Sequence, residues 1–214
     1  MTVTEAMNKR SSIRAFKPDK IDRALLTEIF ELAARTPSWG NTQPWEVFVA
    51  DGEALNKIRE AYANNYESKI AGGPEVARPP DWPEEAKRRQ GGIRAGMTPE
   101  VQESFSQFAK LNQAMFYAPA VVFLCMDKEL TNWSMYDIGA YSQSVMLLAT
   151  ERGLSTIPAI TSVTYPEILH RELNIPDSYY VLIGIPIGYA DDTQVINQLH
   201  TLRDKAADVV RFVD

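Results

Sequence analysis

The stretch TPSWGNTQPW, Thr36 to Trp45, lies between an amphipathic helical pattern and the apolar run WEVFVA. It cannot continue the helix. Pro37 and Pro44 lack a backbone donor, Gly40 permits dihedrals closed to other residues, and the residue before each proline is driven to extended geometry. A shaped loop therefore joins a helix to a strand. Asn41 and Gln43 carry amides with donors and acceptors, Ser38 carries a hydroxyl, and Trp39 and Trp45 flank them, a set suited to a flat heteroaromatic ring with a polar edge. The same residues also serve ordinary turn chemistry, so residue type alone leaves both readings open.

The chain around this loop has 214 residues and 45% hydrophobic content, enough for one substantial core, so residues 1–214 read as one domain. A formal charge of -6 gives no general attraction to phosphate backbones, and no nucleic-acid partner is expected. No stretch approaches the roughly 18 apolar residues of a membrane span. The start MTVTEAMNKRSS has no apolar leader segment, so a soluble cytoplasmic protein is expected. The single cysteine, Cys125, sits inside AVVFLCM and reads as an inert core thiol.

Strand and helix alternate early. Leu25, Leu26, Ile29, Leu32 and Ala33 share one helical face behind an Asp22 N-cap, Trp45 to Ala50 reads as a buried strand, and Asp51-Gly52 turns into a helix through about Glu67. From about residue 68 to 98 the pattern dissolves. The four prolines and five glycines between Ser68 and Met97 predict no long regular element there. The segment reads as a functional lid, with Trp82 and Lys87-Arg88-Arg89 as its contact points; a passive surface insertion is the alternative. Pro99 to Phe116 returns to a helix ending near Asn112 and Gln113. Ala120 to Met126 is a strand buried on both faces, and Ser134 to Arg152 a long packing helix stopped by Gly153. Leu154 to Thr161 is short and extended, and Thr164-Tyr165-Pro166-Glu167 has the spacing of a capping box. His170 reads as a surface or capping histidine rather than a catalyst. Tyr179 to Tyr189 is the last strong strand, and the tail from Asp191 to Asp214 ends in the β-prone piece VVRFV.

Upstream of all this, Arg10-Ser11-Ser12-Ile13-Arg14 puts two arginines and two hydroxyls within five residues, enough to surround a phosphate with charge-assisted hydrogen bonds. Taken with PSWGNTQPW some thirty residues on and with Gly188-Tyr189-Ala190 near the end of the chain, this cluster resembles the flavin-dependent nitroreductase family. The likeness runs from Met7 to Phe212 and is loosest over about 72–97, where the chain resembles a nitrobenzoate-reductase-like subgroup.

The resemblance implies an α+β nitroreductase-like fold, a central mixed β-sheet flanked by helices, in a homodimer whose tail from about 191 to 214 crosses to the partner and adds an edge strand there. It implies FMN as cofactor, NADPH or NADH as electron donor, and a small aromatic acceptor, nitroaromatic or quinone-like, reduced by a ping-pong mechanism. Arg10, Ser11, Ser12, Arg14 and Arg203 would hold FMN, with Pro37, Ser38, Trp39, Asn41 and Gln43 reaching over from the partner. Asn112 would face the pyrimidine, and Pro158, Ala159, Ile160 and Thr161 would approach flavin N5, although relatives often carry Glu-Gly where this chain has Ile160-Thr161. The flavin would carry the hydride, so no catalytic side chain is expected. The sequence also shows no metal-ligand spacing, nucleophile elbow, Walker loop or G-x-G-x-x-G fingerprint. Two alternatives share these residues: other flavin chemistry on the same scaffold, reductive dehalogenation or flavin fragmentation, and a flavin-binding protein without turnover.

Overall fold

A computed structural model describes residues 1–213. Its helices in chain order are α1 (Val3–Lys9), α2 (Arg23–Ala33), α3 (Gly52–Glu67), α4 (Glu84–Ala95), α5 (Pro99–Ser104), α6 (Phe108–Gln113), α7 (Asn132–Glu151), α8 (Pro166–Leu173) and α9 (Ala206–Val209). The strands are β1 (Glu46–Asp51), β2 (Ala120–Asp127), β3 (Ser155–Thr156) and β4 (Tyr179–Gly188), in the spatial order β1-β2-β4-β3.

β2 sits inside the sheet and explains its unbroken apolar sequence. Successive side chains of a strand point to opposite faces. Val122, Leu124 and Met126 accordingly join the core formed with α2 and α7, while Val121, Phe123 and Cys125 join the core formed with α3 and α8. Burial pushes the Cys125 thiol up to about 12, consistent with an inert core thiol. Helices thus cover both faces of the sheet, and α7, stopped at Gly153 with φ +77°, spans one of them.

Every named strand pair is antiparallel, and the parallel component expected of a mixed sheet is confined to the isolated bridge between Ser12 and Thr156. β1 pairs only with β2, so this strand, expected to be buried, is an edge strand in which Ala50 alone is buried. Leu32 on α2 is likewise exposed.

Three further expectations are corrected. The 68–98 segment contains the 12-residue helix α4. Its prolines all precede the helix, Pro83 stands at the N-cap where a missing donor costs nothing, and Lys87–Glu84 and Arg88–Glu85 bridges brace the first turns. Residues 99–116 are broken into α5, a 3-10 turn, α6 and the left-handed run Met115-Phe116-Tyr117, with φ of 52°, 56° and 52°. Arg59 holds that run by donating from Nε to the Ala114 carbonyl at 2.9 Å and from Nη2 to the Ala118 carbonyl at 2.6 Å. The Thr164 capping box does not form, because α8 starts at Pro166 and Tyr165 takes the N-cap. The tail piece VVRFV, expected to add an edge strand to a partner, pairs with no strand of its own chain among the described residues: α9 ends at Val209, and Phe212 and Val213 stand 92% exposed. Asp214, the end of the expected tail, lies outside the described residues.

β4 also positions the segment that follows β3. Ala159 donates its N–H to the Gly184 carbonyl at 2.9 Å, and a Cβ at Gly184 would lie 2.5 Å from Ser162 Cβ. Gly184→Ala is therefore expected to cost about 1–3 kcal/mol and lower Tm by roughly 3–10 °C. A thermal melt unchanged by the substitution would show that the 159–163 turn yields freely.

Candidate functional site

Three groups of residues singled out above become sites of definite geometry. The first is the Arg-Ser-Ser-x-Arg segment. α1 ends at Lys9, after which Ile13 donates to the Thr156 carbonyl at 3.1 Å and buries its side chain with Phe16, Ile157 and Ala159. With the backbone so fixed, Arg10, Ser11, Ser12, Arg14 and Arg203 line one cavity of ≈ 450 Å³. A tail arginine and an N-terminal cluster nearly 190 positions apart are brought together.

The charges in this cavity are the telling feature. Arg14 donates from Nη1 to the Ser12 carbonyl at 2.7 Å, its Nε is buried without a partner, and burial holds its pKa below the ordinary arginine value. Among the described residues no carboxylate lies within 4.0 Å of Arg10, Arg14 or Arg203. A desolvated guanidinium without a counter-charge is costly, and three cations around one cavity suit an anion.

Asn197, which the sequence reading missed, organises this cavity. Its side-chain oxygen accepts from the backbone N–H of Arg14 at 2.7 Å and of Ala15 at 3.1 Å, and its amide donates to the carbonyls of Ala15 at 2.8 Å and Asp191 at 3.0 Å. Ile196 and Leu199 on either side are buried. The first part of the tail thus belongs to its own chain's core.

The second group adjoins the first. Asn112, at the end of α6, accepts a hydrogen bond from the Thr161 hydroxyl, so the amide and the 158–161 segment meet. Leu111 packs against the cluster that holds Ile13, Ile157 and Ala159. Ile160 and Thr161 open a 3-10 turn, and the first N–H groups of such a turn find no partner inside it.

The third group is the loop of residues 36–45, which the structure does not unite with the other two. Gly40, Asn41 and Gln43 take the left-handed conformation at φ 59°, 56° and 45°. The Ser38 hydroxyl accepts from Gln43 N–H at 2.9 Å, and Trp39 donates its N–H to Asp137 Oδ2 at 3.0 Å. Asp137, only 4% exposed, anchors the loop from α7. Pro37, Ser38 and Trp39 line a separate cavity of ≈ 600 Å³ with Trp133, Tyr136 and Asp137. Trp39 is 71% exposed and meets Trp133 edge-on at 6.4 Å. Sequence reading passed over Trp133, Tyr136 and Asp137, whose signal was the aromatic-acid spacing W-x-x-Y-D at the start of a helix. Gln143 lines the first cavity and Asp137 the third, which puts the two openings about 9 Å apart along α7 and about 120° apart around it.

The expected lid contacts are engaged elsewhere. Lys87 pairs with Asp81 and Glu84, while Arg88 and Arg89 both reach Asp204 in the tail. Trp82 is half exposed. His170 is part-buried between the Ile175 carbonyl and Glu75, away from all three groups.

Comparison with known proteins places these features in context. The nitroreductase family model matches residues 7–189. A 4-nitrobenzoate reductase of Pseudomonas putida is 29% identical over 211 residues, covering 95% of this chain and 92% of that protein. The crystal structure of an FMN- and NADPH-dependent nitroreductase from Sphigopyxis sp. strain HMH superposes with a TM-score of 0.91 at 29% identity, covering 100% of both chains. That of an FMN-dependent nitroreductase from Mycobacterium smegmatis, in complex with NADPH, gives 0.87 at 26% identity over 99% of this chain and 98% of the other.

Proposed function

The chain belongs to the nitroreductase family, and from that premise we propose that it is an FMN-dependent oxidoreductase which draws hydride from NAD(P)H and reduces nitroaromatic or quinone-like acceptors. The observation that carries the reading is the buried, unpartnered Nε of Arg14 in a cavity with Arg10 and Arg203. Those residues fit the FMN phosphate, which offers a dianion and several acceptor oxygens to guanidiniums that have no carboxylate of their own. When bound, FMN supplies the hydride-accepting and hydride-donating ring.

The protein's part is binding, orientation and exclusion. Arg10, Ser11, Ser12, Arg14 and Arg203 neutralise the phosphate; Asn112, oriented by Thr161, presents an amide to the polar edge of the ring. Pro158 and Ala159 lead into the turn whose first N–H groups, on Ile160 and Thr161, serve as donors to a ring nitrogen without any special side chain. Pro37, Ser38, Trp39, Asn41 and Gln43 complete the site from a second copy, because in one chain their cavity opens on a different side of α7 from the phosphate cradle. The exposed Leu202, Phe212 and Val213 of the tail suit the same homodimer.

Trp133 and Tyr136 extend the aromatic surface of Trp39 and are suited to stack on an electron-poor acceptor ring. Trp133→Ala is expected to raise the Michaelis constant for a nitroarene about 2–10-fold with flavin content unchanged, the value of one aromatic contact. An unaltered constant would remove Trp133 from the acceptor site. The function as a whole is tested by anaerobic mixing: NADPH should bleach the bound flavin, and an added nitroarene should restore its colour. Bleaching that nitroarenes and quinones leave unreversed would point to another flavin chemistry, and a flavin that NADPH and NADH both fail to bleach would leave a binding protein.

A further inference from the structure

Arg59 and Tyr62 of α3 stand three positions apart and therefore share one helical face. Each reaches a different half of the site. Arg59 donates to the carbonyls of Ala114 and Ala118, so its fork brackets the left-handed run Met115-Phe116-Tyr117. Three consecutive non-glycine residues in that conformation are costly and persist only where the surroundings over-determine them. Ala114 caps α6 and donates its own N–H to the Asn112 carbonyl, which ties the clamped turn to the residue that offers its amide. Tyr62, fully buried, donates its hydroxyl to the Ser162 carbonyl at 2.8 Å and accepts from Tyr165 N–H at 3.4 Å. That pins the 3-10 turn which begins at Ile160. The hydrogen bond from Thr161 to Asn112 then joins the two clamped segments.

Arg59 is half-buried, burial pushes its pKa down to about 10, and among the described residues no carboxylate lies within 4.0 Å of it. A guanidinium kept at that cost for two backbone carbonyls serves the shape of a turn. We propose that Arg59 and Tyr62 are positioning residues, through which α3 holds the Asn112 amide and the N–H groups of Ile160 and Thr161 in register with the flavin ring and so sets the balance between its oxidised and reduced forms. The inference rests on the oxidoreductase reading above. A ring nitrogen that accepts a hydrogen bond when oxidised bears a proton when reduced, so an N–H donor aimed at it favours the oxidised form. Loosening that donor should raise the midpoint potential.

The test is a dye-coupled redox titration of the FMN-loaded protein, with FMN affinity followed by absorbance. Tyr62→Phe should weaken oxidised FMN about 3- to 10-fold more than reduced FMN, which is about 15–30 mV upward in the two-electron midpoint potential. Tyr165→Phe is the control: it removes a hydroxyl from the same aromatic cluster, one that donates to the Ile70 carbonyl, and should leave potential and affinity unchanged. Arg59→Lys should weaken FMN about 3- to 10-fold, and in an Asn112→Ala background the same change should cost less than about twofold, because its effect passes through Asn112. Arg59→Lys and Tyr62→Phe variants that lose thermal stability but keep the parental potential and affinity would make both residues merely structural. A Tyr165→Phe shift equal to that of Tyr62→Phe, or an Arg59→Lys effect undiminished without Asn112, would equally overturn the proposal. The titration needs no nicotinamide turnover: the expected shifts in a protein that NADPH and NADH fail to reduce would uphold the positioning and sink the oxidoreductase reading.

Discussion

Arg14→Ala is expected to empty the protein of its flavin. The guanidinium is buried without a carboxylate, its Nε has no partner, and the contact it would make to a phosphate is charge-assisted, worth about 1.5–3 kcal/mol or roughly 10- to 150-fold in Kd. The sign in the apo protein should differ. Removing a desolvated cation that nothing neutralises relieves a cost, so the melting temperature of the flavin-free variant should equal or exceed that of the flavin-free parent. FMN titration followed by absorbance, with thermal melts of both forms, separates the two effects. A variant that keeps its flavin, or whose apo form is destabilised as much as its holo form, would make Arg14 a structural residue.

Asn197→Ala should have the largest effect on the fold around the site. Four hydrogen bonds converge on this one side chain, two of them from the backbone N–H groups of Arg14 and Ala15. Their loss is expected to cost about 2–4 kcal/mol and roughly 5–15 °C in Tm. Because those bonds hold the Arg14 segment against the tail, FMN affinity should fall with stability, which distinguishes this change from Arg14→Ala. Asn197→Asp keeps the acceptor and loses both donors, so it should lie between the parent and the alanine variant. An alanine variant with parental Tm would show that water replaces the amide at no cost.

Much of the site was legible because its chemistry is local in sequence. Arg10, Ser12 and Arg14 fall within five residues, and residues 36–45 form one loop in which Pro37, Gly40 and Pro44 rule out an α-helix whatever surrounds them. What sequence reasoning missed acts over long range. Asn197 bonds to Arg14 across 183 residues, and Asp137 to Trp39 across 98. An asparagine in a tail or an aspartate in a helix carries no mark of such a partner.

The errors about secondary structure have the same origin. In residues 84–95 helix propensity and i,i+3 ion pairs outweighed two glycines, since the prolines that seemed to forbid a helix lie ahead of its first turn. The direction of each strand pair likewise depends on how long connections return to the sheet.

By itself the sequence determined the elements whose signal is periodic or unbroken, the two-faced burial of β2, the long helix α7, the rigid loop at 36–45 and the presence of an arginine-hydroxyl cluster, because sterics and hydrophobic burial act there within a few residues. Only the tertiary structure decided that Asp204 draws Arg88 and Arg89 to the tail, and that the Trp39 loop opens on a different side of α7 from the cavity of Arg10, Arg14 and Arg203 in its own chain. Those outcomes depend on where distant segments meet. Charge and hydrogen bonding choose among neighbours that chain topology must first bring within reach.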